Sequence, residues 1–67
     1  MHWNKIGIYE PVGTIILVKC KNGKVVKAKR TKPVSKDSGL EYFLVYNDGK
    51  MGVKLVGDDT PVEWAYL

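Results

Sequence analysis

Apolar residues along this chain fall in short runs broken by glycine, asparagine and aspartate, and none recurs at helical spacing over a dozen residues. Runs of β-branched and aromatic residues flanking a Gly turn predict two hairpins. The first rises from Thr14 to Cys20, turns at Asn22-Gly23 and returns from Val25 to Arg30. With a two-residue loop, Cys20 faces Val25, Val18 faces Lys27 and Leu17 faces Ala28. One face then carries Ile16, Val18, Cys20 and Val25, and the other Ile15, Leu17, Val26 and Ala28. Such two-sided apolarity predicts a central strand covered on both faces.

The second hairpin runs from Glu41 to Tyr46, turns at Asp48-Gly49 and returns from Lys50 to Val56. Here Tyr46 pairs with Met51, Leu44 with Val53 and Tyr42 with Leu55, so six positions of one face are apolar or aromatic. Phe43 falls opposite Lys54 on the other face. With Val45 and Val56 it forms either an exposed apolar strip suited to a protein partner or a second buried face.

At the far end, 62–67 alternates as a strand, with Val62, Trp64 and Tyr66 on one side. Trp3 to Tyr9 precedes a turn-like stretch at 10–13, 31–39 is a polar loop, and a short helical turn fits near Glu10 or Lys36. The expected architecture is all-β. Residues 1–67 form a single small domain, an antiparallel sheet of five or six strands curled into a barrel or strongly bent.

Length changes the functional picture first: a chain of 67 residues buries only roughly 60% of the surface it exposes unfolded. That leaves little room for an enclosed active site. Charge changes it next. Residues 1–36 carry nine cationic side chains against Glu10 alone, a balance of +8, whereas 37–67 carry Lys50 and Lys54 against six acids, a balance of −4. The two halves therefore either meet in the fold or present faces of opposite sign.

Catalytic chemistry finds few candidates. The single imidazole, His2, lies at the start of the chain, and Cys20, the single cysteine, falls within a predicted strand where it reads as a small inert hydrophobe. Adjacent Asp58 and Asp59 read as turn chemistry rather than as a catalytic dyad. Two Cys or His residues fall short of the four that structural zinc takes, and no phosphate-cradling glycine motif is present. No enzymatic activity, metal or cofactor is expected. No apolar run reaches the roughly 20 residues of a membrane span, and the first residues lack a secretory pattern. The expected location is the cytoplasm, with no membrane partner.

The lysine-rich hairpin carries two readings. Lys19, Lys21, Lys24, Lys27, Lys29, Arg30 and Lys32 form either a phosphate-binding row or a charged edge that blocks strand-to-strand aggregation. Binders of single strands interleave aromatic side chains with such charge. This hairpin has none, since Tyr42, Phe43, Tyr46, Trp64 and Tyr66 lie in the acidic half and most fit a core.

Trp3, Pro11, the Ile16-Leu17-Val18 strand, Gly23 and Trp64 together resemble a family of short phage and prophage proteins of unknown function. In that family an opening Trp is followed by a Pro, a Val-Leu-Val strand and a closing Trp. Glu63 stands where the family usually has a His before the closing Trp. The resemblance implies a protein made inside a bacterium, in the cytoplasm of the phage's host, and transfers no catalytic residue. The stretch from Gly13 to Gly23 is also similar to SH3-like barrel modules of ribosomal and transcription proteins.

These readings converge on a non-enzymatic binding module. One expectation is docking on a host protein, which the module would modulate or inhibit, through Phe43, Val45 and Lys54. The alternative is nucleic-acid binding by an SH3-like domain through the basic Lys19 to Lys32 hairpin. Open sheet edges also allow a homodimer by strand addition.

Overall fold

The structure, a computed structural model, describes residues 2–7, 10–31 and 41–67. Six strands make one antiparallel sheet: β1 (Asn4–Lys5), β2 (Ile15–Cys20), β3 (Val25–Thr31), β4 (Glu41–Val45), β5 (Met51–Lys54) and β6 (Pro61–Tyr66). Their spatial order is β1-β6-β2-β3-β4-β5. A 3-10 turn over Gly57–Asp59 carries the chain from β5 at one end of the sheet to β6 beside β2. A meander whose last strand returns beside its first is SH3-like connectivity. The end strands β1 and β5 do not pair, so the sheet is bent rather than closed into a barrel.

The bend wraps one face around a core of Ile16, Val18, Cys20, Ala28, Tyr42, Leu55 and Trp64, with Ile6, Val26 and Leu44 packed against it. Ile16 and Val18 are wholly buried. Burial of such side chains is the main favourable term in folding, about 1.5–3 kcal/mol for each. Strict alternation puts Ile15, Leu17 and Lys19 on the opposite face, where they are half-buried. The two-sided coverage expected for β2 is therefore complete on one side only.

The register of the first hairpin differs from the sequence reading by one residue. Cys20 N–H donates to Lys24 C=O at 2.7 Å and Gly23 N–H to Cys20 C=O at 2.8 Å, which makes Lys21-Asn22-Gly23 a three-residue loop. Gly23 adopts φ +90°, the left-handed position that such a turn requires and that a side chain disfavours. Ile16 then pairs with Ala28, Val18 with Val26 and Lys19 with Val25. Ala28 and Val26 join the core face, and Val25, expected there, is exposed on the other.

The second hairpin repeats the turn. Tyr46 N–H donates to Lys50 C=O and Gly49 N–H to Tyr46 C=O, both at 2.9 Å, with Gly49 at φ +84°. Val45 consequently pairs with Met51, and an irregularity between Phe43 and Val45 restores the expected pairing of Phe43 with Lys54. The continuous six-residue apolar face is thereby broken: Tyr42 and Leu55 enter the core, whereas Tyr46, Met51 and Val53 are exposed.

β6 carries a third shift. Lys19 pairs with Glu63 but Cys20 with Pro61, so Pro61 is buried and Val62 is exposed rather than sharing the buried position of Trp64. Tyr66 packs edge-on against Trp64 with ring centroids 5.0 Å apart, yet remains exposed. Of the helical turns expected, the one near Lys36 lies outside the described residues. Near Glu10 the described residues form bends, and the helical turn occurs at Gly57–Asp59 instead.

Candidate functional site

The outer face of the sheet collects side chains that the sequence reading kept apart. Because Ala28, Tyr42, Leu55 and Trp64 point into the core, alternation sends Lys27, Lys29, Phe43, Val45, Lys54, Glu63 and Ala65 to the opposite face, where Val45 and Ala65 are nonetheless buried. One row across four strands reads Ile15, Lys29, Phe43, Lys54, each residue the direct cross-strand partner of the next. A second reads Lys5, Glu63, Lys19, Val25. The basic hairpin therefore does have aromatic neighbours, supplied by other strands. Phe43 lies between two lysines, and the Lys19 ammonium sits 4.7 Å from the centroid of the Trp3 ring.

The two halves of opposite charge meet by interleaving: basic β2 and β3 lie between β6 and β4 of the acidic half. Among the described residues two ion pairs result, Lys19 with Glu63 at 3.9 Å and Lys54 with Glu41 at 3.4 Å. Both are partly exposed surface pairs and contribute little to stability. Lys27 and Lys29 have no acidic partner within ion-pair distance among the described residues.

The remaining members of the predicted row go elsewhere. Lys21 and Lys24 belong to the turn region, which docks on the 3-10 turn. There Lys21 N–H donates to Thr60 C=O at 2.8 Å, Asn22 N–H to Asp58 C=O at 3.0 Å, and the Asn22 side-chain amide to Asp59 Oδ1 at 2.8 Å. Asp58 and Asp59 thus carry turn chemistry and place negative charge beside that end of the hairpin. Cys20, buried at this end, has its thiol pKa pushed up by burial and by Asp59, as befits an unreactive core residue. Lys32 lies outside the described residues. Of the docking set, Phe43 is half-buried, Val45 is buried and Lys54 is exposed.

Arg30 points to the inner side, into a polar cluster that the sequence reading did not single out. Glu10 is buried and accepts two hydrogen bonds from Gly7 N–H, at 2.9 and 3.1 Å. Arg30 Nη1 donates to the Glu10 carbonyl at 3.3 Å. Burial pushes the Glu10 carboxyl pKa up, but the backbone N–H groups of Glu10 and Gly7, the nearby Tyr42 hydroxyl and the Arg30 charge outweigh it and hold it below the usual value. Tyr42 moves the other way, its phenol pushed well up by burial and by the neighbouring carboxylate. Its hydroxyl feels the Glu10 charge without meeting hydrogen-bond geometry. Like Arg30 Nε, it is buried with no hydrogen-bond partner among the described residues. One sequence signal pointed here: Glu10 is the sole acid in the basic half. The cluster ties the segment before β2 to β3 and β4.

Among the described residues no group of His, Cys, Asp and Glu is arranged to hold a metal ion, and no helix is long and apolar enough to cross a membrane. No family model, curated protein or solved structure matches the chain.

Proposed function

We propose that this chain is a non-enzymatic binding module that takes nucleic acid on the outer face of its sheet. The observation that carries the reading is the union of Lys27 and Lys29, free of acidic partners among the described residues, with Lys19, Lys54 and the aromatic Phe43 on one surface. Lys27 and Lys29 can meet phosphates directly, Lys19 and Lys54 by exchanging Glu63 and Glu41 for them, and release of counterions drives the association. Edge protection accounts less well for these lysines, because β2 and β3 are interior strands.

Charge reversal tests this reading. Lys27→Glu combined with Lys29→Glu should abolish binding of a mixed DNA and RNA pool at low salt while leaving the far-ultraviolet circular dichroism unchanged. Unaltered affinity in the folded double variant would overturn it.

A second reading, docking on a protein, is favoured by exposed Met51, Val53 and Val56 along the β5 end of the sheet, where a partner strand or a second copy would add. The resemblance to phage proteins supplies the motive for a host protein as that partner and for the host cytoplasm as the location.

A further inference from the structure

The row Lys29, Phe43, Lys54 has an order that neither lysines alone nor an apolar patch would need. An aromatic residue stands between two lysines on adjacent antiparallel strands, each its direct cross-strand partner, with the Lys54 ammonium 3.4 Å from Glu41 Oε1. Facing side chains at such positions have Cβ atoms about 4.5–5.5 Å apart. The three therefore form one compact unit on the outer face. Lys27, two residues before Lys29 on β3, and Lys19, held against Trp3, extend the positive charge diagonally toward β2 and β6.

We infer that the nucleic acid bound here is single-stranded, with one base stacked on Phe43 and the flanking phosphates held by Lys29 and Lys54; this rests on the reading above. The physical argument is one of access. In a duplex the bases are stacked on one another and only phosphates and groove edges reach the outer face of a sheet, so an aromatic ring between the lysines gains nothing. In a single strand each base exposes a face that an aromatic ring can cover, whatever its identity. The lysine stems on either side shield that stacked pair from water while their ammonium groups reach the backbone. Four lysines, at 19, 27, 29 and 54, match a short site of about four nucleotides, the lower end for a small β domain.

Fluorescence anisotropy with a labelled ten-residue oligothymidine and with a duplex of equal length, over a salt series, tests the inference on the intact chain. The single strand should bind at least tenfold more tightly than the duplex. Its affinity should fall with log salt at a slope of about −3, as four phosphate contacts require. Phe43→Leu, which keeps an apolar side chain in place, should weaken the single strand about 5- to 150-fold without changing the slope. Equal affinity for duplex and single strand, or a folded Phe43→Leu variant that binds as the parent does, would overturn this inference and leave the nucleic-acid reading standing. Failure to bind either form at low salt would overturn both and return attention to the apolar β5 end.

Discussion

β2–β3 and β4–β5 are closed by the same device, a three-residue loop with a left-handed glycine, but they differ beyond it. β2–β3 holds a single register over its five paired positions, whereas β4–β5 slips by one between Phe43 and Val45. β2 and β3 lie inside the sheet between β6 and β4, and although β6 shifts by one against β2 between Lys19 and Cys20, the β2–β3 and β3–β4 ladders keep one register throughout. β5 pairs with β4 alone and can accommodate an extra residue. The slip turns Leu55 into the core at the cost of exposing Met51 and Val53. It also lays the Tyr46 ring over Gly52, where an added Cβ would stand 2.7 Å from a ring carbon. The first hairpin is thus the frame of the molecule, and the second its adaptable margin.

The sharpest way to break that contrast is to remove apolar bulk from each hairpin in turn. Ile16→Ala, at a wholly buried position, should cost about 2–5 kcal/mol in urea denaturation. Val53→Ala, at an exposed one, should stay within about 0.5 kcal/mol. Equal losses would mean that the two hairpins share the core evenly.

Glu10 is where the hairpins are tied together, its carbonyl bound by Arg30 of β3 and its carboxylate near Tyr42 of β4. Glu10→Gln should destabilise by about 1–3 kcal/mol near neutral pH. Because the folded pKa of Glu10 is lowered, its contribution is present above the ordinary glutamate value and is lost as pH falls through the folded one. Tyr42, with its pKa raised, contributes fully below the ordinary tyrosine value and loses that contribution as pH climbs through the folded one. Stability measured from pH 7 down to about 3 should therefore fall less steeply in Glu10→Gln than in the parent, and an unchanged slope would remove Glu10 from this role.

The turns give a smaller and finer test. Nothing lies within 4 Å of a Cβ added at Gly23 or Gly49, so Gly→Ala at either meets only the left-handed backbone penalty, about 1–2 kcal/mol. Gly23→Ala should cost more than Gly49→Ala. The first turn is held by hydrogen bonds to Asp58 and Thr60 and cannot relax, while no such tie is seen at the second among the described residues. Thermal melts of the two variants would order them, and a costlier Gly49→Ala would reverse the contrast.

The strands themselves were readable in the sequence because β-branched runs and Gly turns carry local signals. Registers were not, because a loop of two residues and one of three differ only in how Lys21 or Asn47 joins the turn, and sequence composition hardly distinguishes them. That single-residue error moved Ala28 and Val26 from one face to the other. The candidate surface was legible as charge but not as a surface. Phe43 is separated from Lys29 by thirteen intervening positions, and only the β3–β4 ladder brings them together. Arg30 counted as one more cation of the row until alternation turned it inward to Glu10.

Two indoles sit on opposite sides of this sheet. Trp64 is buried in the core, and Trp3 lies half-exposed beneath the Lys19 ammonium. The molecule consequently carries a separate optical reporter for each face. A soluble quencher should reach Trp3 and not Trp64 in the folded chain. A ligand settling on the lysine face should alter the quenchable component of the emission, while unfolding should shift the protected one. Occupancy and integrity of the fold can thus be followed together in one sample without any attached label.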